Sequence, residues 1–467
     1  MTGFAIAATL ASGAISHKPV LALTSPKRGF YIAHMKWRNQ LLALLCLLVF
    51  FALGVLYFEN WVVQKPFGNI LFIGEGLDPA HLAAARIYAA DAATPLKMDT
   101  LEYSALLKNY SSDSAIPDEA AAATALATGV KVKNGAIGIG SDGKALSNLL
   151  ELARQSGRMT GLVTDGRLTS PGAASFYAHA KSKDDRAGLA SELVEKANLD
   201  VILGGGAADF LPSAKEGNRT DDVDLMQKIA ESGYDVAQSA DELEEIPRWR
   251  RAKLFGVFST AEMAFADDDV ARATQPSLAD MVRRGIELLQ FNRGGYLLVV
   301  DASLMRTAAQ KNDGEHTLLQ TVELDRAVSV ALEYAGTKST IIVCGDVSVG
   351  GMNLSGAPPR EASGAIWLGS AAEQGPSLTW ATGPNAPNAS PSASTEASPP
   401  ASENPDVAVM PETTATPTVV REPAAIYAPA ARAVAADVIA LASGPGADAL
   451  HGTIESTRIF EIIQDNL

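Results

Sequence analysis

The chain is poor in the side chains that staple folds and hold soft metals. Two of its 467 residues are cysteine. Cys46 lies in an apolar run and Cys344 in the strand-like segment TIIVC, so no disulfide and no cysteine metal site is expected. Six residues are histidine; only His81, His179, His316 and His451 lie beyond the apolar run. Aromatic residues make up 6% of the chain against 47% hydrophobic residues in all, so the core must be built of Ala, Val, Leu and Ile. Basic residues number 38 against 53 acidic ones, a net charge of -15. That balance excludes the basic patches that non-specific nucleic-acid binding requires. No internal repeat is present.

Long apolar runs are scarce too, with one exception. LLALLCLLVFFALGVLYF, residues 41–58, is 18 residues without a charge, the length of a membrane-spanning helix. Lys27, Arg28, Lys36 and Arg38 precede it; Glu59 and Trp61 follow. The positive-inside rule then places residues 1–40 in the cytoplasm and the large remainder outside, an arrangement with a single-pass signal-anchor. A cleaved signal peptide is the alternative, but no small-x-small site follows the run. Met35 opens MKWRNQ, which with the run would be a complete signal-anchor, so Met1 and Met35 are both candidate starts.

Beyond the run, strand and helix patterns alternate. NILFIG (69–74) reads as a buried strand and DPAHLAAARIYAA as a helix with Pro79 in its first turn. Helix KALSNLLELARQSG (144–157) leads to strand MTGLVT, and ANLDVILGGG is another strand. Helix PSLADMVRRGIELLQ precedes strand GYLLVV (295–300), and TLLQTVELDRAVSVALEYA precedes TIIVCGD. DVIALASGPG reads as a strand and TIESTRIFEIIQD as a helix. This alternation implies an α/β fold, a doubly wound, mainly parallel sheet flanked by helices. The domain is expected over 66–374 and 430–467. Between them, 375–429 is rich in Pro, Ala, Ser and Thr and reads as a disordered surface insertion.

Sites in such sheets sit at the carboxyl ends of the strands. Three acids fall there: Glu75 after FIG, Asp301 at the end of LLVVD, and Asp346 after IIVCG. Asp118 and Glu119 stand at the start of the small-residue helix in PDEAAAATALATG. One such acid is ordinarily a solvated loop residue or a helix cap. Several together repel one another unless a cation or protons compensate them.

In order along the chain, NILFIGEGLDPAHLAAARIY, PDEAAAATALATGVKVKNGAIG, GLVTDGRLTSPGAASFYAH, LGGGAADF, IIVCGDVSVGGMNLSG and GPGADALHGTIESTRIFEII resemble the segments of the alkaline phosphatases. The resemblance spans about Asn69 to Leu467 apart from the insertion. It implies a serine nucleophile at a helix start, two zinc ions and one magnesium, and an arginine holding the phosphate. By position, the acid before the nucleophile is present as Asp118, but the serine is Glu119. The metal-binding aspartate of the first strand becomes Glu75, the magnesium glutamate Asp301 and the magnesium-site threonine Gly172. The phosphate arginine falls on Lys183. The zinc ligands fall on Arg306, Gln310, Val347 and Ala433, while Asp346 remains.

Zinc needs imidazole, thiolate or carboxylate ligands, so this pattern implies a membrane-anchored relative without zinc phosphomonoesterase activity, acting as a binding or structural protein. Glu119 then mimics the anion of the phosphorylated serine, paired with Lys183 or Arg306. The alternative is a phosphate-ester hydrolase using magnesium or manganese on Glu75, Asp301 and Asp346, with Asp118 beside them. Ser114, in Asp113-Ser114-Ala115, is a decoy nucleophile: Thr-Gly follows the acid by ten residues in the family, which fits Asp118 to Thr128. A homodimer is the assembly the resemblance allows; it names no ligand.

Overall fold

The computed structural model describes residues 29–57, 67–248, 253–355, 377–386 and 422–467. The chain divides into two units, 1–64 and 65–467. The first contributes one described helix, Gly29–Tyr57. Its stretch Trp37–Val55 has a mean hydropathy of 1.9, and none of that stretch is buried. The helix starts well before the apolar run. Residues 29–40, expected to be tail, are helical because nothing in GFYIAHMKWRNQ breaks a helix once the apolar turns extend it. Phe58, the last residue of the expected span, and residues 1–28 lie outside the described residues.

The second unit is built on one sheet. Its strands in chain order are β1 (Gly68–Gly74), β2 (Tyr103–Lys108), β3 (Met159–Arg167), β4 (Val201–Gly205), β5 (Asp235–Ala237), β6 (Leu254–Val257), β7 (Tyr296–Ala302) and β8 (Thr340–Gly345). Three short strands follow, β9 (Ser348–Val349), β10 (Asn353–Ser355) and β11 (Ser377–Gly383), then β12 (Ala424–Tyr427), β13 (Ala433–Val434), β14 (Val438–Ser443) and β15 (Gly452–Glu455). The ten-stranded sheet has the order β15-β2-β14-β8-β1-β7-β3-β4-β6-β5. β14 alone among them runs antiparallel to its neighbours, β2 and β8.

The central strands are apolar on both faces because helices cover both. Ile70 and Phe72 of β1 join a core with Met281, Leu318 and Leu324, on the helices Leu278–Leu289 and Gly314–Tyr334. Leu71 and Ile73 face the opposite core, with Leu126, Leu150 and Ile459 from helices Glu119–Thr128, Leu149–Gln155 and Arg458–Asp465. The fold is therefore the three-layer α/β arrangement expected.

Three boundaries differ from expectation. The helix read from Lys144 starts at Leu149, because Asn148 and Glu151 form a capping box there. TIESTRIFEIIQD divides into β15 and the helix Arg458–Asp465; Thr453 and Ile454 pair with Leu106 and Leu107 of β2. The insertion expected to be disordered over 375–429 contains β11 and β12, which join β10 in a three-stranded sheet. Leu378, Trp380 and Ala424 are buried there, so apolar burial offsets their ordering entropy. The remainder of that segment, 387–421, lies outside the described residues.

Candidate functional site

The strand register brings the acids to one edge. Asp301 of β7 lies across from Ile73 of β1 on one side and Thr164 of β3 on the other. Glu75 and Asp346 each follow the last residues of paired strands, Gly74 and Gly345. All three side chains are buried. A fourth, Asp165 near the end of β3, was missed in the sequence; it is buried as well. The signal was available, since Asp165 directly follows the expected strand MTGLVT and obeys the same strand-end rule as the others.

Each acid is held differently. Asp165 Oδ1 accepts the backbone N–H groups of Ser303 (2.7 Å) and Leu304 (3.0 Å). Asp346 Oδ1 accepts those of Gly76 (3.1 Å) and Val347 (2.6 Å). Asp301 Oδ2 accepts the Thr164 hydroxyl at 2.9 Å. Glu75 Oε2 accepts the Ser303 hydroxyl at 3.0 Å and the Arg306 Nε–H. Glu75 Oε1, Asp301 Oδ1 and Asp346 Oδ2 are buried without a hydrogen-bond partner.

Burial, with Glu75 and Asp165 adding repulsion, holds the Asp301 carboxyl well above the usual carboxylate range. Burial and Glu75 do the same to Asp346. Asp165 is pushed up to about 7, again chiefly by burial, against the pull of its two backbone N–H bonds.

Arg306 is the cation facing this cluster. It sits in the short helix Leu304–Ala309 directly after β7. Burial opposes its charge, but Glu75 and Glu119 outweigh burial and raise its pKa. Its Nη1 lies 3.7 Å from Glu119 Oε1.

Glu119 opens the helix Glu119–Thr128, where every other residue is buried. Asp118 caps that helix, its Oδ1 accepting the Ala121 N–H at 3.0 Å; Gly129 ends it in the left-handed region (φ 71°). A carboxylate at this position meets the positive end of the helix dipole. Lys183 Nζ donates to Glu119 Oε1 at 2.8 Å and reaches Asp118 Oδ2 at 3.1 Å. Burial works against ionisation of Glu119, but Arg306 and then Lys183 prevail, and its pKa lies below the ordinary glutamate value. Glu119 thus pairs with both of the cations named for it from the sequence. Glu75, Asp301 and Asp346 stand together, and Asp118 is linked to them through Lys183, Glu119 and Arg306.

Glu119, Lys183, Arg306, Gln310, Thr307 and Arg167 are among the residues lining a pocket of about 370 Å³. Ser114 lines a different cavity, of about 860 Å³, with Tyr110 and Asp437. Its hydroxyl accepts the Ile116 N–H at 3.2 Å.

The four positions on which the resemblance placed zinc ligands offer little to a metal. Val347 belongs to the apolar core. Ala433 pairs through its backbone with Val349. Gln310 closes the Leu304–Ala309 helix, its N–H donating to the Arg306 carbonyl. Arg306 carries positive charge into the place of an anion. The histidines offer no substitute: His179 is engaged by Glu192 and the Leu146 carbonyl, and His316 lies between Asp313 and Asp267. His451 is exposed beside the Asp448 carbonyl. His81 is buried with both ring nitrogens unpaired, and burial lowers its pKa. Among the described residues, no three His, Cys, Asp or Glu side chains form a group able to hold a metal ion.

The sequence profile of the alkaline phosphatase family matches residues 68–467. The chain belongs to the alkaline phosphatase family. It is 30% identical to alkaline phosphatase 4 of Bacillus subtilis over 298 residues, 61% of this chain and 62% of that protein. It is 30% identical to alkaline phosphatase H of Pseudomonas aeruginosa over 326 residues, 60% of this chain and 68% of the relative. The match therefore spans under two thirds of the Bacillus protein's length. Among solved structures, the alkaline phosphatase of Thermus thermophilus superposes with a TM-score of 0.66 at 22% identity, covering 86% of this chain and 92% of that one. The enzyme from the Antarctic bacterium TAB5 gives 0.64 at 19%, covering 86% and 98%. These superpositions establish the alkaline phosphatase fold.

Proposed function

We propose that this family member has lost zinc phosphomonoesterase chemistry and keeps the fold as a binding or structural domain, tethered by its N-terminal helix with the domain outside the cytoplasm. The observation that carries the reading is Glu119, held at the helix start by Lys183 at 2.8 Å and Arg306 at 3.7 Å. A carboxylate can act as a nucleophile, but this one is already paired with the two cations that an incoming phosphate would need. Its carboxylate takes the place of the anion there. The outward orientation is supported by Lys36 and Arg38 before the apolar run and Glu59 after it.

The test is hydrolysis of a phosphate monoester by the full chain in detergent, with zinc, magnesium and manganese supplied separately. No turnover above that of Glu119→Ala is expected. Zinc-stimulated turnover lost on Ser114→Ala would overturn the reading in favour of a shifted nucleophile. Magnesium- or manganese-dependent turnover lost on Asp301→Asn would favour a residual carboxylate enzyme, for which the unpaired oxygens of Glu75, Asp301 and Asp346 speak.

A further inference from the structure

Four buried carboxyl groups lie at one sheet edge, and the largely buried guanidinium of Arg306 is paired with one of them, Glu75. How Glu75 reaches it depends on a third residue. Gly172 lies in the short helix Pro171–Ala174, directly over the acids. A β-carbon added there would stand 2.1 Å from Glu75 Oε1 and 2.8 Å from Asp301 Oδ1. Both distances are well inside van der Waals contact, so even alanine does not fit while Glu75 is in place. Nor can Glu75 readily swing aside. It is fully buried, and its other oxygen is fastened to Arg306 and Ser303. Three features thus depend on one another: the long side chain at 75, the missing side chain at 172 and the guanidinium at 306.

We propose that Arg306 is a tethered cation that replaces a bound divalent ion at this cluster, and that the space above Gly172 is what lets Glu75 reach it. Charge compensation arrives with the folding chain itself. A guanidinium offers five N–H donors and stays charged, so it can meet Glu75 and Glu119 at once, with Lys183 supplying the second positive charge at Glu119. Carboxylates this close require some such counter-charge, and a covalently attached one cannot be removed by dilution or chelation. The residues fit zinc poorly for the reasons given above, and the positive charge of Arg306 also opposes entry of magnesium beside Glu75.

The test uses the full chain in detergent and reads thermal unfolding and metal content. The wild-type melting temperature should be unchanged by exhaustive treatment with a chelator and by added zinc or magnesium, and the purified chain should hold no stoichiometric divalent ion. In Arg306→Asp, which exchanges the guanidinium for another carboxylate, added zinc or magnesium should raise the melting temperature by several degrees. Should that variant fail to fold, the Gly172 side of the proposal is still measurable. Gly172→Ala should lower the melting temperature, and Glu75→Asp added to it should recover part of the loss instead of deepening it, the non-additivity expected of residues in contact. Strictly additive effects, or a wild-type chain that loses stability on chelation, overturn the proposal. Its failure is distinct from that of the functional reading: an inactive chain that holds a stoichiometric ion refutes only this inference, and a metal-free chain that hydrolyses esters refutes only the other.

Discussion

Arg306 and Lys183 are both cations set against acids, yet their loss should not cost the same. The Arg306 side chain is 12% exposed and faces Glu75, whose side chain is completely buried. Lys183 is 27% exposed, against partners that are themselves partly open to solvent. Breaking a buried pair from one side leaves an uncompensated charge, so Arg306→Gln should destabilise the domain by about 3–5 kcal/mol. A partly exposed pair is screened, and Lys183→Ala should cost about 1 kcal/mol or less. Denaturant titration of the two variants checks the ranking, and equal losses would show that Arg306 is not the main counter-charge. At this scale the sequence was legible where chemistry sits next to pattern. Glu75, Asp301 and Asp346 could be named because each ends an apolar run. The linkage of Glu75 to Gly172 could not, because the two are 97 positions apart (172 − 75) and their contact exists only once β1 and the segment after β3 are assembled.

The small three-stranded sheet is tied to the main body through Asn312, whose Nδ2 donates to the Thr382 carbonyl at 3.0 Å, and through an acid, Glu422. Glu422 Oε2 accepts the Gly314 N–H at 2.6 Å, at the start of the helix Gly314–Tyr334, and the Trp380 indole N–H at 3.2 Å. Burial pushes its pKa up to about 7, and Asp313 and Glu315 add to that, against those two hydrogen bonds. The native state therefore keeps a proton on Glu422 that the unfolded chain releases near pH 4.3. Where the native state binds more protons, stability falls as pH rises. This contribution is favourable below about pH 4, declines between about pH 4 and 7, and is lost above that. Glu422→Gln keeps an acceptor without the titration. The difference between wild type and variant should therefore run against the wild type as pH climbs from 4 to 8 in parallel unfolding experiments; a flat difference refutes the assignment. The same element shows why part of the fold was illegible. SLTWATG has only Leu378 and Trp380 as large apolar residues and lies beside a Pro/Ser/Ala-rich stretch, so composition averaged over the segment hides a strand. β2 escaped notice for a related reason. Its burial alternates, with Ala105 and Leu107 inward, while the central strands declared themselves as unbroken apolar runs.

At the scale of the whole chain, the N-terminal helix is distinguished by its side chains. Its stretch from Leu41 to Val55 presents apolar side chains all round, which is the pattern of a helix solvated by lipid. The full chain should resist extraction from membranes by carbonate, and a form lacking residues 37–55 should move to the soluble fraction. Recovery of only a shortened soluble protein would instead identify a cleaved signal. The order of the strands has a separate consequence for how this molecule can change. β8 delivers the chain to the acid-bearing edge, and β14, running the opposite way, takes it up again from that same edge. The chain therefore leaves the sheet after Asp346 and re-enters it at Val438 on one side. The order of the ten-stranded sheet does not depend on the length of that excursion, although Val347, Trp380 and Ala424 within it belong to the core. Exit and re-entry at one edge make this the margin where the chain can gain residues while the strand order of the sheet stays as it is.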